Sequence, residues 1–411
     1  MAPPPIPSQT GTSPGQPEVV ASAAPLRSGL WARANGRIGV LHLVVGPFIA
    51  SKAIAVLVPM ATLWARSTGV GVPPASAFLG PFAQWDGAAY AQIAANGFPT
   101  GPLQLGPGTL GYLWARSPGY PLLVHLAMYV IPQTVVAGIV VSAVGELVAL
   151  IFLAKLVLHE RGDEASASFA CWALAVFPYA FYLTAVYTES AFLAAAIACL
   201  YYMRRGKEGP AALAAGCAMF IHITGVALLP ALIVDHLVRR RGRPGRGLLV
   251  ILASLLSPLL WVAYAWRLTG DPLAYVHAAE GPSFNRVLAW PWTGAYTTWT
   301  NFVGGAAGDS FLFGMEILFG VGSLVAILWM AWHWREISPS LTVYALGIWV
   351  MATSVIYWLG TPRFEMTAVP IYLALADLTR RHPRARPVLI AASAGWMGFI
   401  ASLAATGQFV A

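Results

Sequence analysis

Apolar stretches separated by short polar or arginine-bearing loops run from about residue 38 to the end of the chain. Stretches of about 20 apolar residues match the hydrocarbon core of a bilayer, so the pattern predicts an all-α polytopic membrane protein, a multi-span helical bundle. The predicted spans are 38–64, 134–158, 166–186, 189–203, 247–266, 311–334, 341–359, 364–378 and 387–405. The stretch 210–237 has arginines on both sides, in "MRRGK" and "VRRRGRPGR", so it should leave and return as two short helices broken near His222, Thr224 and Gly225. Irregular backbone at membrane depth is tolerated only where protein or a cavity surrounds it. With that hairpin counted as two, about 11 spans are expected.

A long connection, 65–133, interrupts the pattern early. It contains "PFAQWDGAAYAQIAANGFP" (81–99), which predicts a helix lying on the membrane surface from Trp85 to Asn96. It also contains "SPGYPLLVHLAMYVIP" (117–132), whose apolar core of about 14 residues is short for a span. Kept out of the count as a re-entrant or interfacial helix, that segment lets every arginine-rich loop fall on one side, the cytoplasm by the positive-inside rule. Arg27, Arg33 and Arg37 ahead of the first span then place the N-terminus in the cytoplasm, and 65–133 becomes a large first extracytoplasmic loop. Asp86, the "YTES" of 187–190, His222, the "GDP" of 270–272, Arg286 and the "TPRFE" of 361–365 all collect on that outer face.

Composition sharpens this picture. Only 10% of the 411 residues are charged against 58% hydrophobic, with a mean hydropathy of +0.68; a soluble protein carries about 25% charged residues. The formal charge of +8 could suggest nucleic acid, but the arginines sit in topogenic loops between spans, which excludes that reading. Residues 1–29, rich in Pro, Ser, Gly and Ala, are expected to be a disordered cytoplasmic tail. No apolar core of a signal peptide begins before about residue 38. Residues 30–411 are expected to form one membrane domain in the plasma membrane. Cys171, Cys199 and Cys217 lie inside apolar segments without CxxC spacing and read as buried small hydrophobes.

Each candidate for chemistry has a structural reading beside it. Asp86 opens the surface helix, where an acid caps free amides; a carboxylate at a low-dielectric surface can also take a proton from a sugar hydroxyl. Glu189 starts a span and so suits the helix dipole, yet an acid at the mouth of a membrane bundle is costly enough to suggest function. Tyr187 beside it can hydrogen-bond a sugar or a phosphate. His222 is either a structural histidine at the hairpin break or a ligand contact, and no second His or Cys at ligand spacing supports a metal. Arg363 lies opposite to the topogenic arginines; it either pairs with Glu365 or binds a phosphate through its several donors. Arg286 has a weaker claim of the same kind. Trp290, Trp292 and Trp299 suit an interfacial aromatic belt better than sugar stacking.

The blocks "FAQWDGAAYAQIAANGFP", "SPGYPLLVHL", "FPYAFYLTAVYTESAFLAAAIACLYYMRR", "TGDPLAYVHAAEG" and "PRFEMTAVPIYLALA" occur in an order and spacing that resembles the PIG-V-like mannosyltransferases. That is the family of GPI mannosyltransferase 2 and its bacterial relatives, and the likeness runs from about residue 38 to 380. Its most specific parts are the Trp-Asp-x-x-x-Tyr block, with Trp85 and Tyr90 flanking the acid as substrate contacts, and the "YTES" block. The resemblance implies a GT-C glycosyltransferase that moves mannose from a polyprenyl-phosphate donor to a lipid-linked or surface glycan, with inversion to an α product. It implies no nucleotide sugar and often no metal cofactor. By position, Asp86 matches the acid of the first loop, Glu189 the acid of the second block, and Arg363 the arginine near the C-terminal end. Two departures bear on donor or acceptor preference: the aromatic "FFPLYP" of the family is "ARSPGYP" here, and the Arg or Lys often following the hairpin break is His222.

In that reading Asp86 is the base, while Arg363, His222 and Arg286 hold the phosphate and the polyprenyl tail lies in a groove between spans. Two rivals come from other classes: a transporter or flippase of lipid-linked sugars, and a non-catalytic glycan-binding subunit. Within the enzyme class, arabinose or glucose could replace mannose.

Overall fold

The computed structural model describes residues 39–67, 75–305 and 307–409. The expected tail and the arginines at 27, 33 and 37 lie outside the described residues. The chain folds into helices α1 (Leu41–Ser67), α2 (Asp86–Asn96), α3 (Gly119–Met128), α4 (Thr134–Arg161), α5 (Glu164–Ala175), α6 (Glu189–Arg204), α7 (Glu208–Ile221), α8 (Leu228–Arg239) and α9 (Arg246–Leu252). They continue as α10 (Leu256–Thr269), α11 (Ala274–Glu280), α12 (Pro291–Gly304), α13 (Ala307–Trp332), α14 (Pro339–Thr353), α15 (Thr361–Glu365), α16 (Pro370–Leu378) and α17 (Ala385–Ala405).

Local sequence sets several boundaries. In "HERGDE", Gly162 takes the left-handed conformation that ends α4, and the Asp163 carboxylate then accepts the Ser166 amide at 2.7 Å to start α5. Among the described residues, five helical stretches are long and apolar enough to cross a membrane: Leu41–Ser67, Thr134–Arg161, Arg246–Thr269, Asp309–Trp332 and Ala385–Ala405. Their outward faces expose large apolar side chains such as Leu57, Leu259 and Leu328, as a lipid solvent allows. The protein is an integral, multi-pass membrane protein. The hairpin at 210–237 has the expected form: α7 and α8 are joined by a 3-10 turn, Ile223–Ala227, directly after His222. The segment 117–132 contains only the ten-residue α3, shorter than a membrane span.

Two segments expected to be continuous spans are broken instead. Helix α5 stops at Ala175 because Pro178 lacks an amide hydrogen and constrains the residue before it. From 176 to 188 the chain crosses the interior irregularly, with Tyr179, Phe181, Tyr182 and Leu183 fully buried. Its carbonyls are satisfied by side chains from elsewhere: Ser393 Oγ donates to Val176 O at 2.7 Å, Lys52 Nζ to Leu183 O at 3.1 Å and Ser142 Oγ to Ala185 O at 2.7 Å. The second break separates α15 from α16, each of which has a proline in its first turn.

The tightest packing joins α4 with α6 and α6 with α7. It depends on small residues: a Cβ on Gly145 of α4 would lie 2.9 Å from the Ala191 amide nitrogen of α6. Within this core, Lys52 of α1 forms an ion pair with Glu146 of α4. Helix α6 also separates two polar ends, roughly 24 Å apart at about 1.5 Å per residue. At its C-terminal end Arg204 joins Glu160, Asp235 and Ser338, and nearby Arg161 pairs with Asp377 at 2.7 Å. At its N-terminal end stands Glu189. The arginine-rich loops thus gather at one end and the candidate residues at the other, as the charge pattern requires. Cys171 and Cys199 are buried, but Cys217 is exposed, contrary to its expected burial, because it faces outward from α7.

Candidate functional site

The site is assembled from six separate stretches of chain. Just before α2, Trp85 adopts a positive φ of 49°, unusual for a residue with a side chain. Gly87 then lets the start of α2 approach the "YTES" segment closely: a Cβ there would meet the Tyr187 ring at 3.0 Å and the Val186 carbonyl oxygen at 3.3 Å. Val186 N donates to Phe82 O at 2.8 Å and Tyr187 Oη to Gln84 O at 2.9 Å, which locks the two blocks together.

This geometry corrects the capping reading of Asp86. Asp86 is the first helical residue, the capping position belongs to Trp85, and no side chain caps the amides. The Asp86 carboxylate is held by two guanidiniums instead. Arg116 Nη2 donates to Oδ1 and Arg363 Nη2 to Oδ2, the latter at 2.9 Å. Burial alone would raise the carboxyl's pKa, but Arg116 and Arg363, helped by Arg286, more than offset it and hold it at about 2. Arg363 also forms a 2.9 Å ion pair with Glu189 through Nε. It does not pair with Glu365, because α15 turns the two side chains apart.

Three guanidiniums and two carboxylates therefore converge, leaving a positive excess in a largely buried place. Aromatic rings flank the cations: Tyr187 and Tyr182 lie 5.2 and 5.4 Å from the Arg363 guanidinium, and Phe284 lies 4.3 Å from that of Arg116. Arg286 donates to Leu359 O at 3.1 Å and lies over the Phe364 ring. His222 Nδ1 accepts the Thr224 amide at 3.3 Å and meets the Thr224 hydroxyl at 2.7 Å, so in the neutral ring Nε2 carries the proton.

Two connected spaces surround these groups. One, of about 60 Å³, lies among Asp86, Tyr90, Glu189, His222, Arg286 and Arg363. A larger one, of about 420 Å³, opens past Trp85, Tyr112, Tyr357 and Phe409 while still touching Asp86 and all three arginines. Beside the site runs an apolar groove of about 650 Å³ between α2, α3, the end of α7 and α10, lined by Ile93, Leu122, Phe220, Leu260 and Tyr264. It reaches Pro118, two residues from Arg116.

Six of the eight residues expected to act, Asp86, Glu189, Tyr90, His222, Arg286 and Arg363, meet at the small cavity, and Trp85 lines the larger one. Tyr187 plays a different part from the one expected: its hydroxyl is spent on Gln84, so it supports the site rather than facing a ligand. Trp290 and Trp292 stack on each other at 4.9 Å, largely exposed, away from the cavities. Arg116 and Tyr275 were not anticipated, although both line the small cavity. The criterion that singled out Arg363, an arginine on the outer side, applies equally to Arg116 in "WARSPGYP". Among the described residues no group of three or more His, Cys, Asp and Glu side chains is placed to hold a metal ion.

No protein-family model and no curated protein sequence matches the chain. Its fold is similar to that of ArnT from Cupriavidus metallidurans, solved bound to undecaprenyl phosphate. The TM-score is 0.51 at 16% identity, over 84% of this chain and 62% of that one. The apo oligosaccharyltransferase of Archaeoglobus fulgidus matches at 0.48 and 15% identity, over 92% of this chain and 57% of that one. The chain thus spans less than two thirds of the length of either. Its fold is that of the GT-C membrane glycosyltransferases.

Proposed function

We propose that the protein is a membrane glycosyltransferase that moves a sugar, mannose first among the candidates, from a polyprenyl-phosphate carrier to a lipid-linked or surface glycan outside the cell. The observation that carries this reading is the convergence of Arg116, Arg286 and Arg363 around one carboxylate, with an apolar groove running beside them. A phosphate on a long isoprenoid chain needs both features at once: several planar donors for its oxygens and an apolar path for its tail. ArnT, which shares the fold, was solved with such a carrier.

The chemistry follows from the charges. The acceptor hydroxyl oxygen attacks the anomeric carbon from the face opposite the phosphate, the bond from that carbon to the phosphate oxygen breaks, and the configuration inverts. The hydroxyl proton passes to the Asp86 carboxylate. The departing phosphate gains negative charge, which Arg116, Arg363 and Arg286 stabilise, with His222 Nε2–H as a further donor. In the resting site Asp86 is too weak a base, since its two arginine partners hold its pKa at about 2. A donor phosphate competes for those guanidiniums, and once they turn to it burial raises the carboxyl's affinity for a proton. Donor binding therefore prepares the base.

Membranes containing the wild-type protein should transfer labelled mannose from polyprenyl-phosphate mannose, and Asp86→Asn should lower the rate about 100-fold or more, the usual worth of a general base. Undiminished transfer by Asp86→Asn would remove Asp86 from the base role. Movement of intact lipid-linked sugar across the membrane without transfer would favour the flippase reading.

A further inference from the structure

We propose that Glu316 is a positioning residue that sets the guanidinium of Arg363 against Asp86; this rests on the transfer reading above. Glu316 lies on α13, inside an otherwise apolar stretch, with no exposed surface. A buried carboxylate there is costly unless its oxygens are satisfied. Both are, by main-chain amides of a distant segment: Oε1 accepts from Gly360 N at 2.8 Å and Oε2 from Thr361 N at 2.7 Å. Those amides open α15, the five-residue helix that carries Arg363. Gly360, at φ +80°, turns the chain there, and its carbonyl oxygen accepts the Arg363 amide at 3.1 Å.

The neighbouring backbone is held as well, so the turn is fixed from three directions. Trp358 N donates to Thr298 Oγ1 of α12 at 2.7 Å, and Arg286 reaches Leu359 O. Glu316 is not among the residues lining either cavity, so what it contributes to the reaction passes through the turn and through the charge it presents to Arg286. If the turn shifts, Arg363 Nη2 leaves Asp86 Oδ2 and Arg286 loses its carbonyl partner, and a phosphate meets a misplaced pair of donors. An acid in a transmembrane helix thereby acts on the phosphate site without facing it.

The test is a double-variant cycle on the purified full-length protein, read by undecaprenyl phosphate affinity and by the KM and kcat of mannose transfer. Glu316→Gln keeps the side chain's size, but its amide group faces one backbone N–H with another donor. It should weaken undecaprenyl phosphate binding about 10-fold, on the scale of one buried unsatisfied donor, and raise KM with it. In an Arg363→Gln background the same change should cost about 3-fold or less, because the route through Arg363 is gone and only the one through Arg286 remains. A full 10-fold loss in both backgrounds, or no loss in the wild type, would overturn the proposal. Should Glu316→Gln not fold, Glu316→Asp is read in the same way, and failure of both to fold marks Glu316 as a scaffold residue only. Absence of transfer by the wild type would sink the transfer reading, while the binding cycle would still decide the role of Glu316.

Discussion

At the scale of single residues, the site turns on the balance around Asp86. Its folded pKa of about 2 lies below the ordinary carboxylate value of about 3.9, so its ion pairs add stability above roughly pH 4 and lose it only as pH falls toward 2. The kcat/KM profile of the free enzyme should accordingly show no acidic limb from Asp86 above about pH 4. In Arg363→Gln one lowering influence is gone while burial remains, so an acidic limb should move upward, into the measurable range. An unshifted profile would mean that Arg363 does not govern this carboxylate. Arg116→Gln should raise the donor KM about 10-fold or more, and Arg116→Lys should restore little, since an ammonium lacks the planar fork. Much of this was legible in the sequence: the charge parity alone brought Asp86, Glu189, His222, Arg286 and Arg363 to one face. Arg116 is the exception, because its acidic partner lies 30 positions upstream and no Asp or Glu stands near it in the sequence. The capping reading failed because sequence cannot show that Trp85 takes a positive φ and turns the acid toward the arginines.

At the scale of elements, the long helices and the broken hairpin at His222 follow directly from apolar length and flanking arginines. The breaks at 176–188 and 366–369 do not, because the apolar composition continues through them while the backbone leaves the helix. What makes the first break tolerable is side-chain partners more than 40 positions away in the chain, which local pattern cannot display. Lys52 is the clearest of these: it meets Glu146 while donating to Leu183 O and to Thr184 Oγ1, the latter at 2.6 Å. Removing one partner of a buried pair leaves the other uncompensated. Lys52→Met should therefore destabilise the protein by about 3–5 kcal/mol, and the double change Lys52→Met with Glu146→Leu by clearly less. Thermal unfolding in detergent measures both; equal losses would show that the pair is not coupled. Gly87→Ala should cost transfer activity through the Tyr187 ring and the Val186 carbonyl, with little change in unfolding temperature if the strain stays local.

At the scale of the whole molecule, the bundle keeps its topogenic arginines and its candidate site at opposite ends, and sets an apolar groove beside the place where Arg116, Arg286 and Arg363 converge. The central claim is that this place binds the phosphate of a polyprenyl carrier. It is tested most directly by comparing equilibrium binding of undecaprenyl phosphate and undecaprenol, the same chain without the phosphate, to the purified protein and to Arg116→Gln with Arg363→Gln. The account predicts that the wild type prefers the phosphate at least about 10-fold, and that the double variant loses this preference while still binding the alcohol. Equal binding of the two lipids by the wild type, or an unchanged preference in the double variant, would contradict it.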